Sequence, residues 1–71
     1  PEPAYSYEAI GNVYKYMDQM DKAEQNYLRG YGILLEVLGE DHFETENAKT
    51  RLVNLYEETG RTEKMNALLK E

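Results

Sequence analysis

The sequence predicts an all-α fold of four helices arranged as two similar helix pairs. Three observations predict it. Apolar residues recur at helical spacing in four stretches, no stretch shows the alternation of a β-strand, and glycine or aspartate separates the stretches. The chain has 71 residues, so we expect one small domain.

The first helix is predicted over roughly residues 3–17 and the second over 20–38. Pro3 suits the first turn of a helix, where its missing N–H is harmless. Asp18 suits the turn between the two helices, and Gly39 suits a left-handed end to the second. The predicted inward stripe of the first helix consists of Ser6, Ile10, Val13, Tyr14 and Met17; that of the second consists of Met20, Ala23, Tyr27, Gly30, Leu34 and Val37 or Leu38.

The third helix is predicted over 42–59 and the fourth over 62–70. Asp41 followed by Glu44 indicates a capping box at the start of the third helix. Gly60 ends that helix, and Thr62 caps the fourth. The predicted stripes are Ala48, Leu52, Leu55, Tyr56 and Thr59 in the third helix, and Met65, Leu68 and Leu69 in the fourth.

The chain repeats itself at an offset of 42 residues. Segment 10–14 (Ile-Gly-Asn-Val-Tyr) aligns with segment 52–56 (Leu-Val-Asn-Leu-Tyr), and the predicted turns align as well. A helix pair that repeats in this way buries its apolar stripe against the neighbouring pair. The sequence therefore predicts two stacked copies of one unit.

This pattern resembles the tetratricopeptide repeat. Segment 10–14 is similar to the Leu-Gly-x-x-Tyr signature of that family, and Ala23, Tyr27 and Gly30 stand at its Ala, aromatic and Ala positions. The second unit keeps Leu52 and Tyr56 but has Val53 and Met65 at small-residue positions. The resemblance implies an α-solenoid of antiparallel helix pairs.

The junction between the units resembles the long repeats of kinesin light chains. Segment 38–42 (Leu-Gly-Glu-Asp-His) matches their Leu-Gly-x-Asp-His junction, with Phe43 in place of the customary proline, and Pro1-Glu2 matches the two positions after that junction. The usual period is about 34 residues, and the extra residues lengthen the second helix by about two turns. We expect repeat one over 1–42 and a truncated repeat two over 43–71, as a fragment of a longer array.

Composition excludes several classes of function. With 14 acidic and 8 basic residues the net charge is -6, which disfavours nucleic acid and anionic membranes as partners. The chain has no cysteine and one histidine, so we expect no metal site and no cofactor. The lack of cysteine and of a signal peptide is compatible with a cytoplasmic location.

We also expect no enzymatic activity. His42 is the only candidate general base, and a capping or packing role at a helix start explains it. Glu40, Asp41, Glu44 and Glu46 lack the spacing of a calcium loop and suit a solvated helix start. No phosphate-binding glycine loop or nucleophile elbow is present.

The resemblance implies a concave groove, lined by the first helix of each pair, that binds a peptide. Asn12 and Asn54 are candidates to bind its backbone, with an inter-helix hydrogen bond or no role as the alternative. Tyr5 and Tyr16 lie off the apolar stripe and are candidate anchors. The groove positions carried over are Tyr5, Glu8, Ala9, Asn12, Lys15, Tyr16, Asn47, Thr50, Arg51, Asn54, Glu57 and Glu58.

The leading hypothesis is a protein-interaction scaffold. Some members of the family that the chain resembles bind a terminal carboxylate through a lysine and an asparagine. Asn12 matches that asparagine, but Glu8 stands at the lysine position, which argues against an anionic terminus as ligand. The mixed to acidic groove favours a ligand with basic character. Two alternatives remain. One is self-assembly, by homodimerisation or helix exchange, through an uncovered Leu34-Leu35-Leu38 edge; the other is a regulatory segment of a larger enzyme.

Overall fold

The computed structural model describes residues 3–71 and contains four α-helices, with no β-strand in that range. The predicted bounds hold to within one residue at every helix end. The repeat boundary expected at Pro1 and Glu2 lies outside the described residues. The helices are α1 (Ala4–Tyr16), α2 (Met20–Leu38), α3 (Phe43–Glu58) and α4 (Thr62–Leu69).

Each helix packs mainly against the next one along the chain: α1 on α2, α2 on α3, and α3 on α4. We call α1 with α2 unit 1, and α3 with α4 unit 2. The buried core runs through the two middle helices; its members are Ala4, Ala23, Tyr27, Tyr31, Leu34, Ala48, Leu52, Leu55, Tyr56 and Leu68.

The turns inside the two units have the same backbone hydrogen bonds at an offset of 42 residues. Gln19 N–H donates to Tyr14 O, and Arg61 N–H donates to Tyr56 O, both at 2.8 Å. Asp18 and Gly60 occupy equivalent positions and both have positive φ, +62° and +72°. Because a left-handed residue is needed there, glycine or aspartate is favoured, as the sequence predicted.

Gly11 has a packing reason to be glycine. A Cβ placed on it would lie 2.5 Å from Cδ1 of Tyr27, so α1 approaches α2 more closely than any larger residue allows. Tyr27 is in turn almost completely buried. The close approach fixes how α1 sits on α2.

The prediction for the inward stripe of α1 is wrong for Ile10, Val13 and Met17, whereas Tyr14 is half-buried and packs against the core. Ile10 is 45% exposed, Val13 58% and Met17 55%, while Ala4 and Gly11 are the buried residues of this helix. The stripe predicted for α3 is confirmed, since Ala48, Leu52, Leu55 and Tyr56 are all buried. The physical difference is that α3 has α2 against its stripe, whereas α1 packs mainly on α2 through its other side.

Smaller differences concern helix ends. The expected Asp41–Glu44 capping box is replaced by His42, whose Nδ1 accepts the Glu44 backbone N–H at 3.1 Å. Thr62 is the first helical residue and makes no cap. Three residues predicted on inward stripes are exposed at helix ends: Val37, Leu38 and Leu69. Within residues 3–71, no helix combines the length and the apolar character that a membrane crossing requires.

Candidate functional site

The candidate site is the surface where α1 and α3 lie side by side. Glu8 on α1 and Arg51 on α3 form an ion pair with 2.6 Å between Oε2 and Nη1. Lys15 and Glu58 form a second pair, with 2.7 Å between Nζ and Oε1. Four charged residues of the predicted groove therefore come together, and they neutralise one another between the two helices.

A cavity of about 210 Å³ opens between the N-terminal halves of these helices. Tyr5 lies on one side and Phe43 on the other, and both rings are largely exposed. The ring of His42 stacks on Phe43, with 4.8 Å between centroids. Seven residues line the cavity: Tyr5, Glu8, Leu34, Phe43, Glu44, Asn47 and Arg51.

Sequence reasoning identified four of these seven residues and missed three. Leu34 was predicted as core, and Phe43 was noted only as a substitute for proline. Glu44 was assigned to a cap that the structure does not contain. The signal that could have found Phe43 and Glu44 is their place in the first turn of α3, one turn before Asn47.

Asn12 is engaged within the protein. The buried Tyr27 hydroxyl donates to its Oδ1, and burial raises the pKa of the Tyr27 phenol above its usual range, which keeps it a donor. The inter-helix hydrogen bond considered for Asn12 is thus present, and it occupies one of the two acceptor sites of Oδ1. Asn54, the counterpart of Asn12 in unit 2, is exposed. Leu69 stands at the position equivalent to Tyr27 and has no hydroxyl, so Asn54 cannot accept the corresponding hydrogen bond.

The remaining predicted residues lie at different depths. Tyr16 is 95% exposed at the end of α1. Ala9, Asn47 and Glu57 are also exposed, and Lys15 and Arg51 are half-buried. Thr50 lies elsewhere, in a second depression with Glu46, Lys49, Val53 and Leu69. Of the predicted groove residues, four therefore lie around the cavity, namely Tyr5, Glu8, Asn47 and Arg51, and Lys15 pairs with Glu58 further along the same two helices.

A charge network centred on the buried Glu24, which the sequence did not predict, joins α2 to unit 2. The Glu24 carboxylate accepts the Tyr56 hydroxyl at 2.9 Å, Arg61 Nη1 at 2.6 Å and Lys64 Nζ at 3.0 Å. Arg61 also pairs with Asp21. Burial, followed by the Glu24 hydrogen bond, raises the pKa of Tyr56 to about 12. The network fixes the register of α2 against α3 and α4.

The predicted self-assembly edge lies partly inside the fold. Leu34 is buried, and its carbonyl accepts the Thr45 hydroxyl at 3.3 Å, so the Leu34 part of the expected self-assembly edge is covered by α3. No grouping of three or more potential metal-ligating side chains occurs in the part of the chain that the structure describes.

Comparison with known proteins gives no family for this chain: no family model, no curated protein and no solved structure matches it.

Proposed function

We propose that the chain is a protein-interaction module of the tetratricopeptide type, built as an α-solenoid of antiparallel helix pairs. The support is the repeated turn geometry at an offset of 42 residues and the close contact of Gly11 with Tyr27. Helical-repeat scaffolds typically repeat one backbone conformation in each unit while the side chains vary. The absence of cysteine, which leaves the chain no disulfide to form, makes the cytoplasm the proposed location.

The ligand is a segment of another protein bound between α1 and α3. The observation that carries this proposal is the cavity between Tyr5 and Phe43. Exposed aromatic rings supply contact area at low cost in side-chain entropy and often anchor interfaces. Glu8, Asn47 and Arg51 beside them provide polar partners at fixed positions, because the Glu8–Arg51 pair joins the two helices.

The charge of this surface favours basic residues in the ligand. Arg51 and Lys15 are each neutralised by a glutamate of the opposite helix. Glu44 in the cavity and Glu57 on α3 make no ion pair within residues 3–71, so the unbalanced charge is negative. Complementary charge speeds association and selects partners, so a lysine or arginine next to an apolar anchor is the expected ligand pattern.

Selection from a displayed peptide library, followed by NMR titration of the selected peptide, tests the proposal. We expect enriched basic residues and chemical-shift changes at Tyr5, Asn47 and Tyr16. Combined Tyr5→Ala and Phe43→Ala substitutions should weaken binding at least about tenfold, because such anchors dominate binding energy. Val37→Ala, at an exposed position outside this cavity, is the matched control. Shift changes confined to α2 and α4 would contradict the proposal.

A further inference from the structure

The exposed side of α1 has a buried counterpart in α3. Ile10 and Val13 correspond to Leu52 and Leu55 at the offset of 42 residues. Leu52 and Leu55 are 0% exposed, whereas Ile10 and Val13 are 45% and 58% exposed. We call Ile10, Val13 and Met17 the α1 face. It has the composition of a packed helix surface, and no helix within residues 3–71 covers it.

In unit 2 the helix that covers the equivalent face is α2. It brings apolar and aromatic residues, among them Tyr31 and Leu34, and one carboxylate, Glu24. Tyr56 and Lys64 bind that carboxylate at 2.9 Å and 3.0 Å. A buried carboxylate needs such partners, because burial removes the water that would otherwise solvate its charge.

Two of the three groups that hold Glu24 recur beside the α1 face. Tyr14 corresponds to Tyr56 and Lys22 to Lys64, while Gln19 replaces Arg61. Lys22 Nζ lies 5.5 Å from the centroid of the Tyr14 ring, so the hydroxyl-bearing side chain and the ammonium are adjacent. Among residues 3–71, neither the Tyr14 hydroxyl nor Lys22 Nζ makes a hydrogen bond or ion pair.

The backbone holds these two groups as it holds their counterparts. The turn after α1 and the turn after α3 have the same hydrogen bonds, including Gln19 N–H to Tyr14 O and Arg61 N–H to Tyr56 O. Lys22 and Lys64 are both the third residue of the helix after that turn. A carboxylate arriving over the α1 face would therefore find Tyr14 and Lys22 at the backbone positions equivalent to those from which Tyr56 and Lys64 hold Glu24.

We propose that the α1 face binds an amphipathic α-helix of another polypeptide segment with the pattern of α2. Its apolar stripe covers Ile10, Val13 and Met17, and one carboxylate receives the Tyr14 hydroxyl and the Lys22 ammonium. This surface is separate from the cavity between Tyr5 and Phe43, so the two proposals stand independently.

A second copy of this chain is a poorer occupant than such a helix. The matching face of its own α2 is already packed on its α3. Its α4 is the other equivalent helix, but α4 has 8 residues against 19 in α2. It also carries Asn66 at the position of Glu24, so it offers an amide where the site provides for a carboxylate.

The first experiment titrates a capped peptide with the sequence of residues 20–38 into the isotope-labelled full chain and follows it by NMR. We expect saturable shift changes at Ile10, Val13 and Met17. Val13→Glu in the chain should weaken binding at least about tenfold, since it buries a charge in the contact. Val37→Glu, also at a largely exposed valine, should leave binding unchanged.

The carboxylate is tested by a double-mutant cycle. Glu24→Gln in the peptide should weaken binding about fivefold, in line with the loss of a charged hydrogen bond. Lys22→Gln in the chain should reduce that difference, since only the Tyr14 hydroxyl then remains to bind the carboxylate. Equal effects of Glu24→Gln on both forms of the chain would overturn the role assigned to Lys22.

A covalently linked version of the peptide and the chain lowers the entropy cost of ordering a free peptide into a helix on the α1 face. A duplicate of residues 20–42 placed before residue 1 reproduces the order in which α2 precedes α3. We expect a higher melting temperature than for the original chain, and a gain that Val13→Glu cancels. The proposal is overturned if neither the peptide nor the tether affects the α1 face, or if shift changes fall at Leu52 and Leu55. Concentration-dependent sedimentation of the chain alone that Val13→Glu abolishes would also overturn it, since a second copy would then be the occupant.

Discussion

Val13 in unit 1 and Leu55 in unit 2 occupy equivalent positions on helices that end in the same kind of turn, yet their surroundings are opposite. Leu55 is completely buried against neighbouring helices, and Val13 is more than half exposed. The local pattern is therefore the same in both units, and the neighbour decides burial. In a helical repeat, an apolar stripe marks a surface made for contact and does not reveal whether the contact partner is present.

The second helices of the two units, α2 and α4, differ in length and in the number of helices that they contact. In unit 1, α2 has 19 residues and crosses both α1 and α3, while α4 of unit 2 has 8 residues. Gly11 lets α2 approach α1 closely, and unit 2 has the half-buried Val53 at that position. The molecule is consequently organised around α2, which contributes to both packed interfaces.

The largest expected effect comes from deleting equivalent side chains in the two units. Leu52→Ala should destabilise the fold by about 2–5 kcal/mol, because it removes a fully buried side chain and leaves a cavity. Ile10→Ala should cost less than about 1 kcal/mol, since its side chain is already half exposed. Urea unfolding measures the free energy of unfolding of both variants. Equal losses would contradict the difference in burial between the two units.

Alkaline pH should weaken the interface between α2 and unit 2. The pKa of Tyr56 is raised to about 12 from its ordinary value of 10.0. Between these values the unfolded chain loses this proton while the folded chain keeps it, so stability falls as pH rises. The loss is on the order of 2 kcal/mol. Unfolding followed from pH 9 to 12 should show a shallower decline for Tyr56→Phe, and an unchanged slope would contradict the assignment.

Close packing within unit 1 is tested at Gly11. Gly11→Ala should cost about 1–3 kcal/mol, because its Cβ would overlap the ring of the buried Tyr27. The matched control is Gly32→Ala in α2, whose Cβ would meet open space. That change should stabilise the helix by roughly 0.5–1 kcal/mol through lower chain entropy. Thermal melting of the two variants should move in opposite directions.

The smallest expected effect is at the ion pairs between α1 and α3. Glu58→Gln should change stability by less than about 1 kcal/mol, since Glu58 and Lys15 are both partly solvated. The difference from wild type should shrink further in high salt. A larger loss would show that this pair, and not α2, holds the two first helices together.

The sequence was sufficient for the helices and for the packed face of α3. Helix formation and turn conformation are determined largely by residues close together in the chain. Apolar spacing and the turn residues therefore predicted the four helices to within one residue at each end. Leu52, Leu55 and Tyr56 were placed correctly because α2 covers them. The same rule misplaced Ile10 and Val13, since periodicity contains no information about a missing neighbour.

The candidate site was predicted only in part. Glu8 and Arg51 were both assigned to the groove, but their ion pair depends on the distance between two helices, which spacing along the chain does not give. Glu24 was missed because its role requires Arg61 and Lys64, some 40 residues away. The sequence predicted a capping or packing role for His42 at the start of α3, but it assigned the capping hydrogen bond itself to Asp41. In the structure His42 makes that hydrogen bond.

Solvent paramagnetic relaxation of side-chain methyl groups tests the central comparison most directly. In a dilute sample of the chain, a soluble paramagnetic probe should strongly relax the methyl groups of Ile10 and Val13 and leave those of Leu52 and Leu55 nearly unaffected. Equal protection of all four residues would show that the α1 face is already covered, and would contradict the contrast between the two units.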